Sequence, residues 1–219
     1  MSNKMHIYQG KEIVVTWNGK RCIHVAECIR RLGIVFDTRK VPWVQPDNAD
    51  ADTVADVVMH CPTGALHFQW TDTGMTEAIP AENTVEVSPN GPLYVRGDIT
   101  IVDSDNEVQL RDTRVALCRC GASKGKPLCD GSHRQLKFRH VMSPEQIIAA
   151  PDTPQNAAGK MEIEPLENGP LMIKGNFRLR FSGADQDQMT SDRAFCRCGS
   201  SGTKPFCDGS HKKISFQSK

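Results

Sequence analysis

A cysteine- and histidine-rich motif that occurs twice constrains the fold of this chain more than any other feature. Each copy reads C-R-C, then eight residues, then C-D-G-S-H, which places three thiols and one imidazole within 16 positions. Thiolates and neutral imidazoles bind zinc and iron–sulfur centres far better than they bind hard cations. The copies are offset by 78 positions (196 − 118 = 78) without insertion. The motif predicts two metal centres, the first with Cys118, Cys120, Cys129 and His133 and the second with Cys196, Cys198, Cys207 and His211.

The pattern C-x-C-x8-C-D-G-S-H resembles that of the CDGSH iron–sulfur family, also called NEET proteins. The resemblance covers roughly the second half of the chain, and ligand identity, ligand spacing and the Asp-Gly-Ser insert all match twice. It implies that each copy holds one [2Fe–2S] cluster through three cysteines and one histidine. Single-motif relatives form two-fold dimers, so a chain with both motifs can make the same contact internally. We therefore expect a monomer with pseudo-two-fold symmetry.

An internal duplication of about 54 residues surrounds the two motifs. The stretch 86–97 aligns with 164–175 at the same offset of 78. Both stretches contain alternating apolar residues, which predict half-buried strands. The copies then diverge over 98–117 and 176–195, and we interpret these segments as surface loops.

The fold class expected from these patterns is α+β. We expect a small ferredoxin-like N-terminal module followed by two β-rich CDGSH modules that form an intrachain pseudo-two-fold pair. The predicted divisions are a mono-cluster domain at 1–72, a first CDGSH domain at 85–140, a linker at 141–161 and a second CDGSH domain at 162–219. A short helix is expected within the linker, at Pro144–Ala150.

The N-terminal module has a mixed pattern of strand and helix signals. The β-branched and aromatic bias of 5–17 predicts a strand pair. The stretch Arg21–Leu32, stopped by Gly33, and the stretch Asp50–Met59 are predicted helices. A further strand is expected at Leu66–Trp70.

Three further cysteines give this module a metal pattern of its own. Single-cluster bacterial ferredoxins use C-x2-C-x2-C followed far downstream by C-P. Here Cys22 and Cys28 lie six apart, Val25 stands at the middle position, and Cys61-Pro62 is the distal element. The run from Cys22 to Leu66 resembles the divergent 4Fe–4S mono-cluster domain that is often found with CDGSH proteins.

The three cysteines leave the type of the N-terminal cluster open. Three thiolates match a [3Fe–4S] cluster by ligand count. A [4Fe–4S] cluster needs a fourth ligand, for which His24, His60 or a solvent oxygen is a candidate. The alternative is that Cys22, Cys28 and Cys61 are structural residues without metal, because cysteine is often buried as a small hydrophobe.

Cysteine count and charge limit the compartment and the partners. The chain has nine cysteines, an odd number, and no basic segment followed by an apolar stretch, so a secreted disulfide framework is not expected. The sequence contains no run of 18 apolar residues, so no membrane span is predicted. A net charge of +1 gives no electrostatic argument for nucleic acid or anionic lipid. We expect a cytoplasmic protein whose partners are redox proteins or apo-protein acceptors.

The sequence is compatible with four functions. The first is electron transfer or cluster transfer, and the second is a sensor that signals redox, iron or pH changes through cluster state. The third is a zinc module, although C-x-C is tighter than the usual zinc spacing and no basic stripe with aromatics accompanies it. The fourth is an enzyme, but the sequence has no dinucleotide fingerprint, nucleophile elbow or P-loop, so we expect no catalysis.

Local spacing within the motif predicts how the ligands are presented. The two cysteines of C-R-C share a face if the backbone is extended. The cysteine and histidine of C-D-G-S-H share a face if the segment between them is helical, with Asp130 and Asp208 as helix N-caps. Cations near the centre favour the addition of an electron, and four lie inside the ligand loops: Arg119, Lys126, Arg197 and Lys204.

The histidine ligands predict acid sensitivity. A free imidazole takes a proton near pH ~6.5, so protons compete with iron for the ligating nitrogen as the pH falls. We expect the visible absorbance of the clusters to bleach more slowly at about pH 6 in His133→Cys and His211→Cys proteins than in wild type. Equal bleaching rates in all three proteins would contradict this mechanism.

Overall fold

The computed structural model describes residues 5–140, 154–182 and 187–218. The chain divides into two compact units, one up to Ala78 and one from Ile79 onward. Strands predominate over helices within the described ranges. The helix expected at Pro144–Ala150 lies outside the described residues.

The first unit contains a three-stranded antiparallel sheet with strand order β1–β2–β3. Its strands are β1 (Met5–Gln9), β2 (Ile13–Asn18) and β3 (Leu66–Trp70). Its helices are α1 (Glu27–Arg31), a 3-10 turn at Pro46–Asn48 and α2 (Ala51–Met59). The strand pair, the second helix and the strand at Leu66–Trp70 confirm the sequence prediction.

Helix α2 closes the core of this unit. The Asp50 side chain caps it by accepting a hydrogen bond from the Thr53 N–H at 2.8 Å. Val54 and Val58 are fully buried and belong to the same apolar cluster as Val15 of β2. The helix therefore covers one face of the sheet, as its apolar spacing predicts.

The predicted helix Arg21–Leu32 is wrong over its first half. Only Glu27–Arg31 is helical. His24 (φ 55°) and Ala26 (φ 67°) adopt left-handed backbone conformations that a right-handed helix excludes. Residues 22–26 therefore form an irregular loop rather than a helical turn.

The second unit is built on one six-stranded mixed sheet that both repeats share. The first repeat supplies β4 (Thr84–Val87), β5 (Leu93–Val102), β6 (Val108–Leu117) and the short helix α3 (Ser132–Gln135). The second supplies β7 (Lys160–Pro165), β8 (Leu171–Phe181), β9 (Gln188–Phe195) and α4 (Ser210–Lys213). Strand β7 begins at Lys160, inside the stretch predicted as linker.

The first strand of each repeat pairs with strands of both repeats. Strand β4 runs antiparallel to β5 and parallel to β8, whereas β7 runs antiparallel to β8 and parallel to β5. Thr84 lies opposite Arg178, and Glu162 lies opposite Thr100. These two pairs are equivalent positions, since 84 + 78 = 162 and 100 + 78 = 178. The parallel pairings are thus reciprocal.

The segments 98–117 and 176–195, predicted as surface loops, are mostly strand. Residues 98–102 continue β5, and 108–117 form β6 opposite it. Ile99 and Ile101 are buried, and Phe177 of β8 is fully buried in the same core. The divergence between the copies therefore reflects different side chains on equivalent strands, which a sheet tolerates when inward positions stay apolar.

Asn83 is a buried polar link between the repeats. Its side-chain amide donates to the carbonyls of Gly159 (2.9 Å) and Asn176 (3.0 Å), and its Oδ1 accepts from the Asp98 N–H (3.1 Å). Asn83 is 1 % exposed. One side chain thus satisfies backbone groups of both repeats, where water cannot replace it.

Asn83→Ala should lower the free energy of unfolding by about 1–3 kcal/mol, because buried carbonyls lose their donors. Chemical denaturation followed by far-ultraviolet circular dichroism measures this change. Asn156→Ala is the matched control, since Asn156 is exposed and makes one local bond to the Ala158 N–H. Equal stability of the two variants would contradict the role assigned to Asn83.

Candidate metal centres

The first repeat brings its four predicted ligands together as two pairs. Cys118 follows the last residue of β6, and its Sγ lies 3.8 Å from the Sγ of Cys120. The Sγ of Cys129 lies 3.3 Å from Nδ1 of His133 in α3. Backbone bonds from Cys118 N–H to the Pro127 carbonyl (2.9 Å) and from Cys129 N–H to the Ala116 carbonyl (2.8 Å) extend the strand pairing around the loop.

The second repeat reproduces this arrangement. The Sγ atoms of Cys196 and Cys198 are 3.8 Å apart, and Cys207 Sγ is 3.3 Å from His211 Nδ1. The same two backbone bonds close the loop, from Cys196 N–H (2.8 Å) and from Cys207 N–H (2.9 Å). The local geometry therefore follows from the shared motif rather than from the divergent strands.

The aspartates of the motif hold the loops but do not occupy the N-cap positions predicted for them. Gly131 and Gly209 are the N-cap residues, both with left-handed backbone. The Asp130 carboxylate accepts from the N–H groups of Ser132 (3.0 Å) and Lys124 (2.8 Å). Asp208 does the same in the second repeat. A carboxylate one residue before the cap thus joins both sides of each ligand loop.

The paired donors match the geometry of tetrahedral metals. With metal–thiolate bonds of about 2.3 Å and tetrahedral angles, two thiolates on one metal lie about 3.8 Å apart. The C-R-C pair has this separation in both repeats. In the described parts of the chain, no group of three or more His, Cys, Asp or Glu side chains converges on one ion. Each repeat thus presents two separate pairs of potential metal ligands.

Burial favours the neutral forms of Cys129 and His133. It raises the pKa of the Cys129 thiol to about 11 and lowers the pKa of His133, with Arg134 and Arg119 adding to the second effect. All nine cysteines are free thiols. A bound metal would therefore favour the thiolate form of Cys129, and the neutral imidazole of His133 is already in its ligating form.

Buried arginines anchor both C-R-C segments. Arg119 is 2 % exposed, donates through Nε to the Gly91 carbonyl (2.8 Å) and through Nη2 to the Ser88 carbonyl, and lies 5.5 Å from the Phe138 ring centroid. Arg197 makes the equivalent bonds to the carbonyls of Gly169 and Leu166 and the same contact with Phe216. Sequence analysis identified the two arginines only as cations and missed this anchoring role.

The ligand loops of the two repeats contact each other through their backbones. A Cβ on Gly121 would lie 2.8 Å from the Cys198 carbonyl oxygen, and one on Gly199 would lie 2.9 Å from that of Cys120. Both glycines also have positive φ (79° and 83°). Only glycine fits this contact. In the sequence, this requirement for glycine was visible only as the C-R-C-G pattern that both copies share.

Gly121→Ala should reduce the iron retained by both repeats and lower the free energy of unfolding by about 1–3 kcal/mol, since the loops must separate. Gly125→Ala is the control within the same loop, because its Cβ would meet no atom within 4 Å. Iron and sulfide per purified chain and chemical denaturation measure both effects. If the two variants retain equal iron and stability, the contact does not constrain the centres.

The three N-terminal cysteines line one cavity that is partly open to solvent. Burial, reinforced by the charges of Cys61 and Cys22, raises the pKa of Cys28 to about 11, so the three thiols lie close enough to affect one another. His24 lines the same cavity. His60 does not, and its Nδ1 lies 2.8 Å from the Asp56 carbonyl oxygen.

Trp17 provides a second indication that this cavity suits an iron–sulfur group. The side chain lines the cavity, and its indole N–H is buried without a hydrogen-bond partner in the described part of the chain. A buried donor without an acceptor is costly. A cluster sulfur bound in the cavity would supply an acceptor. The residues present therefore fit an iron–sulfur cluster.

Comparison with known proteins identifies the class of this chain. The family described as "Divergent 4Fe-4S mono-cluster" matches residues 8–71, and the family described as "Iron-binding zinc finger CDGSH type" matches 90–134 and 168–212. The chain is an iron–sulfur-binding protein. It belongs to these families, with one divergent mono-cluster domain followed by two CDGSH domains, which confirms the resemblance seen in the sequence.

The relatives carry no functional description. The uncharacterized protein YjdI of Escherichia coli K12 is 39% identical over 62 residues, which are 28% of this chain and 82% of YjdI. The YjdI protein of Escherichia coli O157:H7 matches to the same extent. No solved structure matches significantly. Among the described residues, no helix has the length and apolar character required to cross a membrane.

Proposed function

We propose that each repeat holds one [2Fe–2S] cluster through three cysteines and one histidine. The observation that carries this proposal is a pair of distances that both repeats share. The two Sγ atoms of C-R-C lie 3.8 Å apart, and the Sγ and Nδ1 atoms of C-D-G-S-H lie 3.3 Å apart. Two pairs of ligands match a two-iron cluster with two protein ligands on each iron. Bound [2Fe–2S] clusters accept and release single electrons.

The chain's own groups favour reduction at these sites. A neutral imidazole in place of a thiolate removes one negative charge from the ligand set. The backbone N–H groups of Gly131 and Gly209 donate to the ligand sulfurs of Cys129 and Cys207 at 3.4 Å. Ligand charge and hydrogen bonds to sulfur both set the potential. We place it above the roughly −400 mV of all-cysteine plant-type ferredoxins.

The N-terminal module, in this proposal, holds a third cluster through Cys22, Cys28 and Cys61, either [3Fe–4S] or [4Fe–4S]. The three centres serve electron transfer or cluster transfer to redox proteins or apo-protein acceptors. We assign no catalysis and no nucleic-acid partner to the chain.

The proposed assembly is a monomer in which the repeats form a pseudo-two-fold pair. The reciprocal pairing of β4 with β8 and of β7 with β5 supports it. Each repeat thereby completes the sheet of the other, as two subunits do in a symmetric dimer.

The proposal is tested by purifying the chain without oxygen and counting iron, sulfide and zinc. We expect about four iron and four sulfide from the two repeats, visible absorbance, and an EPR signal after reduction with dithionite. Additional iron reports a filled N-terminal site. Stoichiometric zinc in a colourless protein would overturn the iron–sulfur assignment. Light scattering on the same sample should give the mass of one chain, 24.2 kDa.

The two repeats differ in how well they shield their ligands, and this difference favours cluster transfer from the second. Cys129 and His133 are 4 % and 8 % exposed, whereas Cys207 and His211 are only half-buried. Solvent access at the ligands exposes the iron–ligand bonds to protons and chelators.

We expect the cluster of the second repeat to be lost several times faster than that of the first. Cys129→Ser leaves only the second repeat with its full ligand set, and Cys207→Ser leaves only the first. Bleaching of each protein by an iron chelator at neutral pH compares the two rates directly. A faster loss from the Cys207→Ser protein would reverse the assignment.

A further inference from the structure

We propose that His24 is the fourth protein ligand of the N-terminal cluster, which makes that cluster [4Fe–4S]. This inference rests on the proposed function, in which Cys22, Cys28 and Cys61 hold iron. The cavity that the three cysteines share is also lined by His24. A neutral imidazole is an established iron ligand, and Rieske centres use it in place of thiolate.

The other cavity-lining side chains with an oxygen that could bind iron, Glu27 and Thr63, already make other contacts. Both carboxylate oxygens of Glu27 are held by arginines, one by Arg30 and one by Arg31 at 2.9 Å. Thr63 Oγ1 accepts from the Ala65 N–H at 3.2 Å and lies 3.6 Å from Cys61 Sγ. His24 is the cavity-lining side chain with a basic nitrogen.

The backbone of the loop places His24 close to the thiols. His24 and Ala26 have left-handed backbone conformations, which cost energy for residues with a Cβ and recur at functional sites. They interrupt what would otherwise be a helical turn between Cys22 and Cys28. His24 Nδ1 consequently lies 4.0 Å from the Cys22 Sγ.

Two ligand atoms bound to different irons of one cluster lie farther apart than this 4.0 Å. The imidazole must therefore rotate away from Cys22 when the cluster binds. His24 is exposed, which leaves room for the rotation. His24 would supply a fourth protein ligand where a cluster held by three cysteines would otherwise need a solvent ligand.

The test uses the full chain, purified without oxygen, with His133→Cys and His211→Cys as background so that the repeats contribute no histidine nitrogen. We expect about eight iron per chain, four from the cubane and two from each repeat. We also expect no [3Fe–4S] EPR signal in the oxidised state and a coordinated-nitrogen coupling in pulsed EPR of the reduced state.

Adding His24→Ala should remove about one iron and the nitrogen coupling and should produce the oxidised [3Fe–4S] signal. Adding His24→Cys should keep the iron count but lose the coupling, which separates ligation from misfolding. His60→Ala is the histidine control and should change nothing.

Two results overturn the inference alone. One is a [3Fe–4S] signal in the background protein, and the other is unchanged iron and nitrogen coupling in His24→Ala. A background protein with only about four iron, all assigned to the repeats, overturns the inference together with the proposed N-terminal cluster. The two kinds of failure are therefore distinguishable.

Discussion

Strands β4 and β7 each hydrogen-bond to one strand of their own repeat and one strand of the other. The rest of the second unit depends on this pairing between the repeats. Strands β6 and β9 lead into the ligand loops. They pair with β5 and β8, the two strands to which β7 and β4 of the other repeat bond. The apolar cluster beneath the sheet contains residues from both repeats. A domain of this size buries a sufficient core only when both halves contribute to it.

The ligand loops are fixed to this sheet from two directions. Backbone bonds at the ligand cysteines continue the strand pairing into the loop, and Arg119 and Arg197 bind the carbonyls of the preceding turns. A buried guanidinium is expensive unless its donors are satisfied. The carbonyl acceptors therefore determine where each C-R-C segment lies, and the thiol separation follows from that placement.

The Cys–Cys and Cys–His pairs of each motif could be predicted from the sequence because they depend on local spacing, and the structure brings the members of each pair within 4 Å. Features that depend on residues far apart in the sequence could not be predicted in this way. The pairing of Thr84 with Arg178 joins residues 94 positions apart (178 − 84 = 94), and no local pattern encodes it. The left-handed conformation of His24 and Ala26 was also not predictable, since alanine rarely adopts it and histidine, although enriched there, adopts it at only a small fraction of positions. Sequence divergence over 98–117 was mistaken for irregular structure because only the inward positions of a strand must stay apolar.

The contact between Arg119 and His140 has a consequence for how such a protein diverges. His140 and the equivalent Ser218 both donate a backbone N–H to an asparagine, Asn90 or Asn168. Their side chains differ, since His140 Nδ1 lies 3.0 Å from Arg119 Nη1 whereas Ser218 Oγ bonds Asn168. In a dimer of identical subunits, any substitution appears twice and alters both centres together. Within a fused chain each half mutates alone while the shared sheet preserves the architecture. Gene duplication thus allows two centres with one ligand set to acquire unequal surroundings.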